Sequence, residues 1–409
     1  MKNDTLFVWL QLAVGLYSKL PKLLFERLGD IESIYGCDDY SFLGAKNEKY
    51  IRKLEQKETG DAYEIVKRCQ SLGVVPLFYT DERYPKLLKE IENPPPVLYT
   101  IGQIRDLNSM PCVGIVGTRN MTDYGKRVTE GFAFDLAKNG VCVVSGLAKG
   151  IDTAAHRGAV VAGGYTVAVL GNPIGDVYPK ENVKAFQTLY ERGLVMSELY
   201  PGAPRTRADF PHRNRIISGM SSAVLVTEAG EGSGSLITAR HAATQGRRVF
   251  AVPGNVGGEN VGTNMLIKKG TTAVTESSDL LSALSLEHPD WEKKNDVKST
   301  ERLRSYGNVS VSPPKKKKRE ETKIEAKPSP PRVQPSQTKV QPAEEASDPS
   351  SPAEIILAAL MGDRPISADE ICAKTGIDIA KIMSELTMLE IEGKIIAAAG
   401  GRYISAKFK

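Results

Sequence analysis

Between residues 111 and 284 the chain repeats one unit: a short, nearly unbroken apolar run, a glycine-rich junction, then a stretch of helical length. The runs fall at 113–116, 141–144, 166–170, 194–196, 223–227 and 249–252. Helical stretches such as 124–139 and 235–245 separate them. A strand with one wet face alternates apolar and polar residues, whereas a strand covered on both faces does not. Continuous runs alternating with helices therefore predict a mostly parallel, doubly wound α/β sheet between two helical layers. In such a sheet the strand ends share one edge, so the junction loops converge on one crevice.

The flanking segments read differently. Residues 1–75 are expected to form a helical domain, because Leu6, Leu10, Ala13 and Val14, then Leu20, Leu23, Leu24 and Leu28, fall at helical spacing. The apolar stretch 6–16 lacks a small-residue cleavage site and reads as a buried helix rather than a signal peptide. No run of about 18 apolar residues occurs, so no membrane span is expected. Residues 76–284 make up the sheet domain. Residues 285–350 hold 9 of the chain's 24 prolines and few large apolar groups. That composition cannot offset its own ordering entropy, which predicts a disordered linker. Residues 351–409 read as helices at 353–361, 367–375 and 378–392, then a hairpin around Gly400-Gly401 ending at Tyr403. This is a winged-helix pattern, with Ile355, Leu357, Ile371, Leu386, Leu389 and Ile395 as its expected core.

Charge is placed unevenly. The net charge is +5. Residues 111–284 carry 18 basic against 14 acidic groups and residues 285–350 carry 14 against 11, while 1–110 (15 against 16) and 351–409 (7 against 8) are slightly acidic. A polyanionic partner would meet the sheet domain or the linker. The basic run 315–319 reads as a solvated stretch of the linker that adds non-specific nucleic-acid affinity. The five cysteines are scattered and never paired as C-x-x-C, which suits a reducing cytoplasm.

The chemistry is expected at the junctions, where free backbone N–H groups attract anions and glycine allows close approach. Gly117-Thr118-Arg119-Asn120 follows the first run and Ser145-Gly146-Leu147-Ala148-Lys149-Gly150-Ile151-Asp152 the second. Gly171-Asn172-Pro173-Ile174-Gly175-Asp176 follows the third, with Tyr178-Pro179-Lys180-Glu181-Asn182 directly after it. Glu228-Ala229-Gly230-Glu231-Gly232-Ser233-Gly234-Ser235 follows the fifth. Each feature alone has a plainer reading: a glycine as turn geometry, Lys149 as a solvated charge, His156 as a packing residue. Their convergence with Arg119, Lys149, Lys180, Arg213 and Arg215 points to a polyphosphate or nucleic-acid site. The first loop is not G-x-G-x-x-G and no G-x-x-x-x-G-K-[ST] occurs, so neither a dinucleotide nor P-loop hydrolysis is expected. The four histidines show no metal-ligand spacing. The expected site therefore has no cofactor, no metal and no catalytic residue.

The ordered set of motifs resembles one family. Glu82-Arg83-Tyr84-Pro85-Lys86-Leu87-Leu88 leads to Pro94-Pro95-Pro96-Val97-Leu98-Tyr99, then to the Gly117 and Ser145 loops. Phe210-Pro211-His212-Arg213-Asn214-Arg215-Ile216-Ile217-Ser218-Gly219, Ser233-Gly234-Ser235-Leu236-Ile237-Thr238-Ala239 and Val249-Phe250-Ala251-Val252-Pro253-Gly254 follow. Over about residues 75–284 this resembles the DNA-processing protein A (DprA/Smf) family. The resemblance implies an extended Rossmann-like domain that binds single-stranded DNA, forms a homodimer and loads a RecA-type recombinase in bacterial natural transformation. It places the family's Gly-Ser/Thr-Arg loop on Gly117, Thr118 and Arg119. Its basic Tyr-Pro-x-Glu-Asn position falls on Lys180, and its Arg-Asn-Arg on Arg213, Asn214 and Arg215. With the loop residues Ser145, Gly146, Lys149, Gly150, Ser233, Gly234 and Ser235 these make the expected DNA-binding set.

Two departures matter. Pro173 stands in a loop that usually carries Gly-x-Gly, and Gly15-Leu16-Tyr17 replaces the Gly-Ile-Gly of a helix–hairpin–helix. The N-terminal domain is accordingly assigned to protein contacts or scaffolding, and the slightly acidic winged helix to a regulatory or protein-binding role. The main reading is a non-enzymatic DNA-binding mediator. A second class is a nucleotide-processing enzyme of the related phosphoribohydrolase-like fold. Its Pro-Gly-Gly-x-Gly-Thr-x-x-Glu loop has a working carboxylate, whereas residues 229–238 put an apolar or hydroxyl residue there. A third is a regulator acting through the winged helix.

Overall fold

The apolar runs become the strands of one sheet. The computed structural model describes residues 2–178, 182–291, 352–360 and 364–379, and beyond them 382, 385–386, 389, 394–398 and 402–405. Contacts divide the chain into two compact units, Met1–Tyr306 and Gly307–Lys409.

The first unit opens with helices α1 (Lys2–Val14), α2 (Leu20–Leu28), α3 (Ile31–Gly36), α4 (Glu48–Gln56) and α5 (Gly60–Ser71). Two further strands, β1 (Val75–Phe78) and β2 (Val97–Gly102), flank α6 (Lys86–Glu90). Then come β3 (Cys112–Gly117), α7 (Asp123–Lys138), β4 (Cys142–Ser145), α8 (Ile151–Val161), β5 (Thr166–Leu170), α9 (Val183–Arg192) and β6 (Leu194–Ser197). The series closes with α10 (Asp209–Gly219), β7 (Ala223–Glu228), α11 (Gly234–Thr244), β8 (Arg248–Ala251), α12 (Val261–Lys268), β9 (Thr272–Ala273) and α13 (Ser277–Glu287).

The sheet order is β1-β2-β6-β5-β4-β3-β7-β8-β9. Strands β6 to β9 run parallel, and β1 and β2 add antiparallel pairings at one edge. The chain winds outward from β3 to β6, then returns beside β3 as β7. The direction of winding therefore reverses between β3 and β7, where an open α/β sheet presents its ligand crevice.

The parallel strands β4, β5 and β7 are buried along their whole length, as unbroken apolar runs require. Apolar clusters line both faces, one under α7, α8 and α13 and another under α10 and α11. A third cluster joins the N-terminal helices to the sheet: Phe7, Trp9, Leu10 and Leu24 pack with Val97, Tyr99, Ala168 and Val195. Buried Gln11 bridges the two, donating to the Glu198 carbonyl at 3.0 Å and accepting from the Tyr99 hydroxyl at 2.8 Å. Leu23, grouped with the core by helical spacing, lies exposed on the outer side of α2. Residues 285–287, read as the start of the linker, complete the last turn of α13, where Leu284 is buried. The rest of the expected linker, from 292 onward, lies outside the described residues.

The second unit has helices α14 (Pro352–Ala359) and α15 (Ala368–Thr375) and a three-stranded antiparallel sheet, β10 (Ile366–Ser367), β12 (Arg402–Ser405) and β11 (Ile395–Ala398) in that order. This is the winged-helix arrangement. Its core holds Ile371, Leu386, Leu389 and Ile395 as expected, but Ile356 and Leu360 in place of Ile355. The helix buries an i, i+4 pair, so of two adjacent isoleucines only one faces inward. The second wing strand runs on to Ser405. Most of the expected 378–392 helix lies outside the described residues.

Candidate nucleic-acid interface

The loops after β3, β4 and β7 are stitched together by backbone. Thr118 N–H donates to the Glu228 carbonyl at 2.7 Å, and Ile151 N–H donates to the Thr118 carbonyl at 3.2 Å. Such close approach requires glycine. A Cβ on Gly150 would lie 2.4 Å from the Thr118 carbonyl oxygen, and its φ of +90° disfavours any side chain. Gly150→Ala is therefore expected to destabilise the fold by roughly 1–3 kcal/mol. Urea unfolding would show this as a lowered midpoint at unchanged slope, and an unchanged midpoint would contradict it.

The start of α7, where a dinucleotide fold takes its pyrophosphate, is already occupied by the protein's own carboxylate. Fully buried Glu228 accepts from Thr122 N–H at 2.9 Å and from the Thr122 hydroxyl at 2.7 Å. Thr122 in turn caps α7 by accepting from Gly125 N–H. A Cβ on Gly125 would collide with the Glu228 side chain. This turn therefore satisfies its helix N-terminus internally.

Several expected phosphate contacts are buried instead. Ser145 donates its hydroxyl to the Ile115 carbonyl at 2.6 Å. Arg213, 6% exposed, donates to the carbonyls of Gly146 and Val169, and a Cβ on Gly146 would strike its guanidinium. Burial brings Arg213 down to about 10, against the opposing pull of Asp152. Asp152 is itself raised by burial. Arg215 is paired with Glu198 at 2.8 Å, both almost fully buried. These groups hold strand ends and helix starts together rather than face solvent.

The histidines are placed as packing groups. His156 meets the Thr166 hydroxyl at 2.7 Å, and burial lowers its pKa from 6.5 to about 3. Burial likewise lowers His241 to about 4. Both are neutral when folded at pH 7, so unfolding below pH 6.5 takes up protons. Their contribution is complete above 6.5 and is lost as pH falls toward 4, by up to about 1.4 kcal/mol per pH unit per histidine. Chemical denaturation at pH 7.5 and pH 5 is expected to show this loss, reduced in His156→Gln; an equal loss in that variant would contradict it. The loop serines are engaged as well: Ser145 bonds a carbonyl and Ser233 pairs with the Ser235 hydroxyl at 2.8 Å. Among the described residues no group of three or more His, Cys, Asp or Glu could hold a metal.

What remains open at the strand ends is a row of rings and guanidinium groups. The Arg119 guanidinium lies 6.0 Å from the centre of the Phe210 ring. Phe210 and Tyr178 are 5.6 Å apart, and the Arg205 guanidinium lies 5.0 Å over Tyr178. Gly171 lets this row form, because a Cβ there would meet Phe210 at 2.7 Å. Arg119, Arg205 and Tyr178 are exposed. The structure thus brings together the loops after β3 and β5 and the start of α10. Exposed Lys149 stands on the neighbouring loop. Asn214 reaches the α11 side, donating to the Gly234 carbonyl at 3.4 Å. There Ser233 caps the helix by accepting from Ser235 N–H. Lys180 lies outside the described residues. Sequence reading misses Tyr178, Arg205 and Phe210. Their signal is present as aromatic and basic residues on two loops bound for one edge, but no spacing rule links residues 178 and 210.

An extended Rossmann-like sheet with basic and aromatic groups at its switch-point edge, followed by a winged helix, defines a class of nucleic-acid-handling protein. Residues 76–285 match the family model described as DNA recombination-mediator protein A, and residues 341–401 match the DprA winged helix domain. The Smf protein of Synechocystis is 35% identical over 87% of this chain and 86% of its own. The DNA processing protein DprA of Bacillus subtilis is 38% identical over 53% of this chain and 73% of its own. The crystal structure of DprA from Streptococcus pneumoniae superposes with a TM-score of 0.57 at 34% identity, covering 67% of this chain and 95% of that one. The chain belongs to the DNA recombination-mediator protein A (DprA/Smf) family. No helix among the described residues is long and apolar enough to cross a membrane.

Proposed function

We propose that the crevice binds single-stranded DNA and that the protein, without covalent chemistry, delivers that strand to a RecA-type recombinase in the bacterial cytoplasm, acting as a homodimer. The observation that carries this reading is the row Arg205–Tyr178–Phe210–Arg119. Exposed Tyr178 and half-buried Phe210 beside guanidinium groups offer stacking to base faces and charge to phosphates. Base faces are accessible in a single strand and covered in a duplex. The family's description as a recombination mediator supports the delivery step. Binding rather than catalysis is favoured because buried Glu228 at the end of β7 is committed to Thr122, and because burial makes His156 and His241 weak bases. Phosphate contact without base-edge readout implies little sequence preference and a steep fall of affinity with salt. A gel shift with the full-length chain, comparing an oligo-dT strand with a blunt duplex of equal length, tests this reading. Preference for the strand is expected; equal or tighter duplex binding would overturn it.

A further inference from the structure

We infer that Tyr17, in the loop between α1 and α2, is a positioning residue for this crevice. Tyr17 has a φ of +65°, a conformation few side chains adopt without cost. Gly15, two residues earlier, also has positive φ, so the chain turns sharply between α1 and α2. Nothing within the N-terminal helices accounts for the strain, since the side chain makes its bonds to the sheet domain. The Tyr17 hydroxyl donates to Asp209 Oδ1 at 2.5 Å. Its ring stacks on His212 with centres 4.2 Å apart and planes 12° from parallel. The Arg215 guanidinium lies 5.4 Å from the ring centre. Tyr17 N–H donates to Glu198 Oε1 at 3.4 Å, and its carbonyl accepts from Asn93 Nδ2 at 3.2 Å. Burial, reinforced by Asp209, pushes the phenol well above its ordinary range, so it remains a donor.

These contacts converge on the first turn of α10. Asp209 uses its other oxygen to accept from Thr206 N–H, which pins the loop that carries Arg205. Phe210 is the next residue, and its place over Gly171 sets the crevice row. Tyr17 therefore grips Asp209 and His212 on both sides of Phe210, while it touches none of the residues proposed to meet DNA. The N-terminal helical segment thereby fixes the angle at which Phe210 and Arg205 face the strand.

The inference rests on the single-strand reading above, and two measurements on the full-length protein keep them separable. Tyr17→Phe removes the bond to Asp209 and keeps the stack; Tyr17→Ala removes both. Hydrogen exchange of residues 205–212 is expected to speed up in both variants, and more in Tyr17→Ala. Affinity for an oligo-dT strand should fall by about tenfold in Tyr17→Ala and by less in Tyr17→Phe. The salt slope should stay unchanged, because no phosphate contact is lost. The fluorescence change of 2-aminopurine within the strand, which reports base stacking, should shrink in parallel. A role in stability alone would lower the unfolding midpoint and leave the affinity and fluorescence change of the folded protein as they were. Unchanged exchange at 205–212 in both variants would overturn the positioning role, whatever the DNA results. Wild-type protein that binds no strand would overturn the function and not the positioning.

Discussion

Arg215→Ala is expected to cost the fold about 3–5 kcal/mol. The Arg215 and Glu198 side chains are 3% and 4% exposed and meet at 2.8 Å. Removing the guanidinium leaves the Glu198 carboxylate buried, with Tyr17 N–H at 3.4 Å as its weak remaining partner. An uncompensated buried charge costs far more than a lost surface contact. Replacing both partners together, as Arg215→Met with Glu198→Leu, should cost much less, because neither charge is then stranded. The pair is also imperfect: Arg215 Nε and Glu198 Oε2 have no hydrogen-bond partner. Denaturant unfolding of the two variants side by side checks this. A single variant as stable as the wild type would contradict the buried pairing of Arg215 with Glu198.

The second large effect is on binding. Arg119→Ala with Lys180→Ala is expected to weaken single-strand affinity by about 2–4 kcal/mol, each charge contributing roughly half. Arg119 is exposed and its guanidinium lies against the Phe210 ring, so its loss should leave the unfolding midpoint nearly unchanged. Each removed phosphate contact should also flatten the salt slope by about one unit. Wild-type affinity and slope in the double variant would remove both residues from the interface. Together the two experiments sort the basic residues of this edge into those that build the crevice and those that meet its ligand.

That sorting marks how far the sequence can be read. Unbroken apolar runs make the parallel sheet and its winding legible, because burial on both faces leaves a direct trace in composition. The glycine junctions are legible for the same reason: Gly117 and Gly150 stand where backbone meets backbone. The fate of each charge is not. Arg119 and Arg213 look alike in sequence, yet one is exposed and the other donates to the Gly146 carbonyl at 2.8 Å. Whether a guanidinium finds a carbonyl depends on which way α10 is turned, and that is set in part by Tyr17, nearly two hundred residues earlier. The antiparallel strands β1 and β2 also escape, because β2 follows directly on a proline-rich segment and neither belongs to the repeating strand–helix unit. Glu228 reads as loop, and its role in closing the α7 start emerges only when the β3 and β7 ends lie side by side.

The most direct test of the central claim is to photocrosslink a single strand carrying 5-iodouracil to the full-length protein and map the modified peptides. The reactive base attaches to aromatic rings it stacks against, and the crevice row supplies Tyr178 and Phe210. Adducts on these two residues are predicted, reduced by Arg119→Ala and competed by unlabelled strand but not by blunt duplex. Adducts confined to residues 351–409 or to the basic run at 315–319, with none at 178 or 210, would contradict the account and place the DNA on another part of the chain.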